Sequence, residues 1–392
     1  MLRFSTAGES HGEALVALLS GVPAGLVIDQ ARVDRELWRR QQGYGRGGRM
    51  RIESDLARII SGVRHGRTIG TPIAILLENK DWKNWTEALP VGAGDPARHR
   101  KVNSPRPGHA DLAGALKYDF SEARYVLERA SARESAARVA IGAIAKLFLL
   151  ELQIEVLSHV IAVGAASIAS ADLQWEQIRR LYDRDEVLLN CADPEGEARM
   201  KQEVDKALKT GDSVGGVFEV VAHNVVPGLG TYANWDERLD ARLAGAVMSL
   251  QAVKAVEIGS GVEGARSFGS AVHDEIGYDN SKPKFTGFGR KSNRAGGIEG
   301  GISNGEDIVV RGYLKPISTL RRPLQSVDFE TRQEVKAAYE RSDVCVVPAA
   351  GVGGEAMVAL TLAQCALEKF GGDSMSETLS NFRGYLKQLK EY

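Results

Sequence analysis

The sequence predicts a mixed fold of α-helices and β-strands in one domain. Short apolar strands alternate with longer segments of helical periodicity, and the two patterns repeat about every 2 and about every 3.6 residues. No proline- or serine-rich linker divides the 392 residues. A chain of this length can bury one large core. We therefore expect a single domain over residues 1–392.

The first third of the chain predicts four strands and one helix. The strands are expected at 15–19, 26–29, 59–63 and 72–77, and the helix at 31–42. Arg39 and Arg40 come at the end of this helix, and Gly43 is its stop signal.

A long loop is predicted at 78–107, because this segment carries two tryptophans, several prolines and charges without a period. Loops longer than about 15 residues are commonly functional lids or mobile segments. This loop leads to His109. We expect it to be mobile and to become ordered when a ligand binds.

The second part of the chain predicts several further elements. A long helix is expected at 127–153, with Ser131 capping its first turn and Arg129 and Arg133 on one face. The later elements are a surface helix at 197–210, a strand at 216–226, helices at 235–253, 329–339 and 355–370, and a peripheral tail from residue 373.

Composition and charge exclude several classes of protein. The 50 basic side chains nearly cancel the 51 acidic ones, whereas nucleic-acid binding needs a broad basic surface. Three cysteines without CxxC spacing form neither a disulfide framework nor a metal site. No segment has the roughly 18 apolar residues of a membrane span. We expect a soluble, cytoplasmic protein without a metal, a nucleic-acid partner or a membrane partner.

Two histidines lie in glycine-containing segments that are followed by arginines. His11 lies in the segment AGESHGE, and His109 lies in RPGHAD. Imidazole changes its charge near neutral pH, and guanidinium groups bind phosphate or carboxylate in pairs of hydrogen bonds. The glycine- and arginine-rich segment 43–49 would bring backbone N–H groups to the same volume. Together these features indicate acid-base chemistry on a small, multiply charged anion.

Each of these features also has a structural interpretation. Glycine clusters form tight turns, histidines in such turns are often structural, and arginines on a helix often form a solvated face. Two other functional classes stay open as well. One is a phosphate-handling enzyme of another kind, and the other is an anion- or RNA-binding protein that uses Arg46 and Arg49.

Eight motifs in order, spread over most of the chain, resemble those of the chorismate synthase family. The motifs are GESHG at 8–12, GYGRG at 43–47, RPGHAD at 106–111, RASAR at 129–133, SNRAGG at 292–297, GGIS at 300–303, KPIST at 315–319 and RSD at 341–343. One departure is Val344, which stands where members of the family often have proline.

The resemblance implies a shikimate-pathway lyase that forms chorismate by anti-1,4-elimination of phosphate from 5-enolpyruvylshikimate 3-phosphate (EPSP). Reduced FMN (FMNH2) is required, although no net redox change occurs. His11 would donate a proton to the departing phosphate, and His109 would balance the anionic reduced flavin. Asp343 would accept the C6 proton together with the flavin N5.

The resemblance also implies two sets of binding residues. The substrate set is Ser10, Arg40, Arg46, Arg49, Arg106, Ala132, Arg133 and Arg341. The flavin set is Arg129, Ala130, Ser131, Gln251, Ala252, Gly300, Lys315, Pro316, Ile317, Ser318, Thr319 and Arg341.

The fold implied by the resemblance is α+β, a β-α-β layered sandwich in which helices lie between two antiparallel sheets. The resemblance further implies a homotetramer. Some members reduce flavin themselves with NADPH, but this sequence has no recognisable reductase domain. We therefore expect dependence on an external source of reduced flavin.

Overall fold

Two antiparallel sheets enclose a layer of helices in the computed structural model, which describes residues 1–47, 54–169, 173–281, 284–340 and 343–392. The strands are β1 (Arg3–Ala7), β2 (Ala14–Ser20), β3 (Arg58–Ser61), β4 (Val63–Arg64), β5 (Arg67–Thr68), β6 (Ile73–Glu78), β7 (Glu155–Val163), β8 (Ala166–Ser167), β9 (Gly216–His223), β10 (Val253–Ile258), β11 (Ile276–Tyr278), β12 (Phe288–Arg290), β13 (Ile298–Glu299), β14 (Ile302–Ser303), β15 (Ile308–Leu314), β16 (Gln325–Val327) and β17 (Glu334–Lys336).

The helices vary from single turns to 24 residues. They are α1 (Gln30–Gln41), α2 (Asp111–Tyr118), α3 (Arg124–Ala130), α4 (Ser135–Glu151), α5 (Trp175–Tyr182), α6 (Pro194–Thr210), α7 (Leu239–Met248), α8 (Gly261–Gly264), α9 (Gly269–Val272), α10 (Val347–Phe370) and α11 (Met375–Glu391). Short 3-10 helices cover Lys80–Asn84, Pro96–Arg98 and Ala132–Glu134.

The helical layer joins the two sheets through α4 and α10. The first sheet has the strand order β1-β2-β6-β3, and α4 packs on β2 and β6. The second has the order β10-β15-β9-β7-β8, and α10 packs on β7 and β9. Helices α4 and α10 pack on each other, and side chains such as Ile144 and Leu362 are fully buried between the layers. This arrangement confirms the predicted α+β sandwich.

Helix α10 is the apolar centre of the fold. It is long and apolar enough to cross a membrane, but 83% of its most hydrophobic window is buried inside the protein. A soluble protein's central helix has the same composition, so length and hydropathy give only weak support for a span.

Several predicted elements differ from the observed ones. The helix predicted at 127–153 is broken, because Ser131 has an extended backbone (φ −62°, ψ 139°) between α3 and the turn Ala132–Glu134. The segment predicted as a helix at 329–339 instead contributes β17 to a two-stranded sheet. The strand predicted at 26–29 is reduced to one bridge from Val27 to Arg67.

Other boundaries shift without changing the type of element. The helix predicted at 235–253 is only α7, Leu239–Met248, and the helix predicted at 355–370 begins earlier, at Val347. The strand predicted at 59–63 ends at Ser61, and the strand predicted at 216–226 ends at His223. From residue 373 the chain forms α11, which buries Met375 and Phe382 against the fold.

The crossing of α4 and α10 depends on Gly142. A Cβ atom built there would lie 2.3 Å from the Cβ of Ala356 and 2.6 Å from its Cα. We predict that Gly142→Ala lowers the free energy of unfolding by about 1–3 kcal/mol, as overpacking of a core does. Denaturant unfolding measures this change.

Gly245 in α7 provides the matched control. Among the described residues, no heavy atom outside the helix's own backbone and the chain neighbours lies within 4 Å of a Cβ built there, so Gly245→Ala is expected to be neutral or to stabilise by about 0.5–1 kcal/mol through helix propensity. Equal effects of the two substitutions would show that the helices do not cross as described.

Candidate active site

The turn that carries His11 connects β1 and β2. Gly8 has φ +101°, and a Cβ atom there would lie 2.3 Å from the carbonyl oxygen of Ala14. Only glycine fits this conformation and this close approach. The turn is held from outside by Asn79, whose side-chain amide donates to the carbonyl oxygens of Glu9 and Gly12 at 3.1 and 2.8 Å.

Glu128 of α3 holds His11 at both the backbone and the ring. The backbone N–H of His11 donates to Glu128 Oε2 at 2.7 Å, and the ring Nδ1 lies 2.9 and 3.1 Å from the two carboxylate oxygens. Burial acts to raise the pKa of Glu128, but the hydrogen bonds and charge of His11, with Arg124, outweigh it and lower that pKa. Glu128 is therefore a carboxylate at neutral pH.

Trp85 covers one face of the His11 ring. The two rings stack with centroids 4.0 Å apart and an angle of 29° between their planes. The indole N–H donates to Asp81 at 3.1 Å, and the guanidinium groups of Arg100 and Arg124 lie over the indole, 4.4 and 5.2 Å from its centroid. Part of the segment predicted as an open loop at 78–107 is thus packed against the site.

The break between α3 and α4 directs neighbouring groups toward different partners. Ser131 caps the next turn, because its Oγ accepts from the backbone N–H of Arg133 at 3.3 Å. It also accepts from the buried Ser10 hydroxyl at 3.1 Å. Arg129 donates to Thr6 and Gly8, whereas Arg133 points elsewhere. The prediction that Arg129 and Arg133 share one helical face is therefore wrong.

A buried cluster of cations lies beside this break. Arg133 binds both oxygens of Asp55 at 2.7 Å and the side chain of Asn79 at 2.9 Å. Arg40 donates to Ser135 Oγ and to the carbonyl oxygen of Ala132, each at 2.9 Å. Arg40 and Arg133 are only 5% and 4% exposed.

Arg40 is incompletely satisfied in this cluster. Its Nη1 lies 3.6 Å from Asp55 and has no hydrogen-bond partner among the described residues. Burial, opposed by Asp55 but reinforced by the charges of Arg133 and Arg46, lowers the pKa of Arg40 to about 10. Buried charges require pairing, so this cluster favours binding of an anion.

Asp343 binds the glycine-containing loop that follows α1. Its carboxylate accepts from the backbone N–H of Gly47 at 2.5 Å and forms an ion pair with Arg46 at 3.1 Å. The adjacent Val344 donates its backbone N–H to the carbonyl oxygen of Gly45 at 2.8 Å. Proline has no N–H group, so valine at 344 gives this chain a hydrogen bond that proline could not form.

His109 belongs to a second cluster, built on the buried Asp111. The ring Nδ1 of His109 lies 2.5 Å from Asp111 Oδ1, and Arg106 contacts both oxygens of that carboxylate at 2.8 and 3.0 Å. Burial raises the pKa of Asp111, but hydrogen bonds from His109 and Arg106 lower it far more. Arg106 also donates to Thr319 at 3.0 Å.

The predicted flavin residues lie partly around this second cluster. Lys315 donates its ammonium group to the carbonyl oxygen of Gly108 at 2.7 Å and its backbone N–H to Ala252 at 3.0 Å. Gln251 donates to Glu134 at 3.0 Å, next to the break at Ser131. Hydrogen bonds therefore connect the segments 251–252 and 315–319 to the loop of His109 and to the turn after Ser131.

Three predicted residues either lack a described link to these clusters or lie outside the described residues. Gly300 lies in the turn between β13 and β14 with φ +59°, and none of the hydrogen bonds among the described residues connects it to the rest of the flavin set. Arg49 and Arg341 lie outside the described residues. The described residues on either side of 341–342 have defined contacts. Glu340 pairs with Arg124 at 2.9 Å, and Asp343 pairs with Arg46.

Sequence reasoning missed the residues that support the two histidines. Glu128 is one residue from the RASAR motif and Asp111 ends the RPGHAD motif, so proximity to a motif was an available signal for both. Asp55 and Trp85 gave no such signal, because they come together with their partners only through the fold.

Two histidine–carboxylate pairs and a buried group of guanidiniums form a candidate enzyme site whose charges are suited to a small anion. The family model for chorismate synthase matches residues 2–367. A chorismate synthase of Koribacter versatilis (strain Ellin345) is 71% identical over 393 residues, with 100% of both chains covered. That of Aquifex aeolicus (strain VF5) is 49% identical and covers 100% of this chain and 99% of its own.

A solved structure agrees with these relatives. A crystal structure of chorismate synthase matches with a TM-score of 0.78 and 40% identity, covering 100% of this chain and 99% of that one. The chain therefore belongs to the chorismate synthase family, whose members are chorismate-forming lyases of the shikimate pathway.

We predict that Asp111→Asn destabilises the protein by about 3–5 kcal/mol at neutral pH, because it leaves buried cationic partners without their carboxylate. The carboxylate stabilises the fold fully above its ordinary pKa of about 3.9, and this contribution disappears as pH falls through the lowered pKa in the folded chain.

Chemical denaturation between pH 7 and pH 3 measures the difference. The difference in the free energy of unfolding between wild type and Asp111→Asn should persist down to about pH 5 and become smaller below about pH 4. Exposed Asp279 accepts only local hydrogen bonds, so Asp279→Asn is the control. A gap that widened toward acid pH would contradict the ion pairing described for Asp111.

Proposed function

We propose that this chain converts EPSP to chorismate and phosphate by anti-1,4-elimination, with reduced FMN as a required cofactor. Membership of the chorismate synthase family supports this reaction. The observation on this chain that supports the reaction is the buried Arg40, which lies near the cations Arg133 and Arg46. Its Nη1 has no hydrogen-bond partner among the described residues. A phosphate or carboxylate group would satisfy that donor.

The substrate carries one phosphate and two carboxylates, and the arginines supply the matching charge. Arg40 and Arg46 belong to the substrate set, with Arg133, Ser10 and Ala132 at the adjoining turn. Arg106 lies in the second cluster, and Arg49 and Arg341 complete the proposed set. Each charge-assisted hydrogen bond contributes about 1.5–3 kcal/mol. Three or four of them would provide most of the affinity for substrate.

His11 acts as the acid in the proposed reaction. The bond from C3 of the substrate to the phosphate oxygen breaks, and His11 passes its proton to the departing phosphate. The ring lies between Glu128 and Trp85 with 12% of its side chain exposed. Such a partly enclosed acid contributes about 10²–10⁴-fold to the rate.

Asp343 and His109 take the other two roles. Asp343 accepts the proton from C6 of the substrate, and its contacts with Gly47 and Arg46 fix its orientation. His109 lies in the cluster of Asp111 and Arg106, with its Nδ1 2.5 Å from Asp111 Oδ1. A cation there balances the negative charge of a reduced flavin.

The described residues fit a flavin phosphate and ring edge. Burial and the charge of the neighbouring Lys254 lower the pKa of Lys315, so this pair of cations would favour a phosphate group. Lys315 and Thr319 would hold the cofactor from one side, and Ser131, Gln251 and Ala252 from the other. Reduced FMN, when bound, lends electron density to the substrate and recovers it as the proton leaves.

The family resemblance and the sequence pattern support the remaining proposals. We propose a homotetramer in the cytoplasm, without nucleic-acid or membrane partners, that receives reduced FMN from an external source. We also propose a single domain in which the segment 78–107 moves when ligands bind. Trp85 of that segment contacts His11, so such movement would open and close one side of the site.

The test is an anaerobic assay of phosphate release and chorismate formation from EPSP with dithionite-reduced FMN. We expect turnover by wild type and losses of about 10²–10⁴-fold in His11→Ala, His109→Ala and Asp343→Ala. Arg40→Gln should raise KM about 10- to 150-fold, the equivalent of one charge-assisted hydrogen bond.

Arg32 provides the control for Arg40, because it lies on the same helix but is half exposed and pairs only loosely with Asp29 at 3.6 Å. Arg32→Gln should retain wild-type kinetics. If wild type forms no chorismate while retaining flavin, a different flavin enzyme is indicated. Salt-dependent RNA binding without flavin retention would indicate the non-catalytic alternative. If the three alanine variants match wild type, the assigned roles are wrong.

A second assay tests the source of electrons. With EPSP, oxidised FMN and NADPH under anaerobic conditions, we expect no turnover until a flavin reductase or dithionite is added. Sustained chorismate formation with NADPH alone would contradict the proposal and would show that the chain reduces flavin itself.

A further inference from the structure

We propose that Glu128 is a positioning residue for His11, holding Nδ1 so that the ring delivers its proton through Nε2. This inference rests on the proposed function, since it specifies how the acid of that reaction is oriented. Glu128 itself touches neither the substrate nor the departing phosphate in this account; it acts through the histidine.

The contacts of Glu128 fix both the position and the rotation of His11. One carboxylate oxygen accepts from the backbone N–H at 2.7 Å, while both oxygens lie within 3.1 Å of Nδ1. The backbone N–H of Ser10 also donates to the carbonyl oxygen of Glu128 at 2.9 Å. A ring held at its backbone and at one nitrogen has little freedom to exchange its two nitrogens.

The burial of Glu128 strengthens its contacts with His11. Glu128 is 4% exposed, and its pKa lies below the ordinary value because the interactions with His11 and Arg124 outweigh burial. Arg124 lies 3.4 Å from the carboxylate and is itself paired with Glu340. Glu128 is therefore held as a carboxylate beside the ring.

Other groups around His11 fix the plane of the ring. Trp85 stacks on one face and is anchored by Asp81, while Arg100 and Arg124 lie over the indole. The charged groups around the ring among the described residues include Glu128 on α3, with Arg124 behind it, and Asp81 and Arg100 beyond Trp85. Among the described residues, the carboxylate of Glu128 contacts Nδ1 of the ring directly, at 2.9 and 3.1 Å.

The proton balance follows from this orientation. With Nδ1–H donating to Glu128, the imidazolium breaks its Nε2–H bond and the departing phosphate oxygen forms an O–H bond. The ring is left as the neutral tautomer that carries its proton on Nδ1, which is the tautomer that the carboxylate stabilises. Solvent then returns a proton to Nε2. The wrong tautomer would present no proton to phosphate in this geometry.

A second histidine–glutamate pair in the same chain gives a matched comparison. His159 on β7 contacts Glu219 on β9 through Nε2 at 3.1 Å, and the histidine is 1% exposed. This pair lies in the sheet, with Arg311 as the other partner of Glu219. Loss of Glu219 therefore tests the general effect of removing a buried carboxylate from a histidine.

The experiment is a double-mutant cycle between Glu128→Gln and His11→Ala in the anaerobic EPSP assay. We expect Glu128→Gln to lower kcat by about 10²-fold, within the range of a mispositioned acid, with KM changed less than threefold. In the His11→Ala background the same substitution should change kcat less than twofold, because its effect passes through the ring.

A spectroscopic measurement that does not require turnover accompanies the cycle. In protein labelled with ¹⁵N-histidine, the His11 ring resonances, identified by their loss in His11→Ala, should report the Nδ1–H tautomer in the neutral form. Glu128→Gln should shift them toward a mixture of tautomers. Glu219→Gln should leave both these resonances and kcat unchanged, even if it lowers the melting temperature.

The outcomes separate this inference from the proposed function. If Glu128→Gln reduces kcat equally in both backgrounds, or if the His11 tautomer is unaffected, the positioning role is overturned although wild type still forms chorismate. If wild type forms no chorismate, the proposed function itself fails, and the NMR measurement alone then decides whether Glu128 orients the ring.

Discussion

The burial of Arg40 beside Arg133 and Arg46 is the constraint on which the site depends. Arg40 is 5% exposed, and its Nη1 has no hydrogen-bond partner among the described residues. Burying a charged group in this way costs folding free energy. Burial and the neighbouring cations lower the pKa of Arg40 to about 10. Asp55, 3.6 Å from Arg40 Nη1, offsets part of this cost. A bound anion would offset the remainder. The burial that lowers the stability of the protein alone would therefore favour the complex with an anion.

The break in the chain at Ser131 explains how so many groups reach one place. An unbroken helix would put Arg129 and Arg133 on one face. Instead, α3 presents Glu128 to His11, while the following turn gives the carbonyl oxygen of Ala132 to Arg40 and directs Arg133 toward Asp55. Helix α4 then enters the core and packs on α10. One extended residue thus separates the structural helix from the part of the chain that builds the site.

The sequence was sufficient for the elements with strong periodicity, and its motifs contain both histidines of the candidate site. Helices α1 and α6 and strands β2 and β6 were predicted nearly at their observed bounds. The break at Ser131 was missed because the apolar period continues through it, and the 329–339 segment was mistaken for a helix because its strand is only three residues long. Asp55 and Trp85 were missed because their partners are distant in sequence, so only tertiary packing defines their role.

The most direct test of the central claim is a crystal structure with oxidised FMN and EPSP bound. We predict a substrate phosphate or carboxylate oxygen within about 3.2 Å of Arg40 Nη1, in contact with the same cluster that contains Arg133. Substrate bound away from this cluster, with Arg40 still lacking an anionic partner, would contradict the central claim.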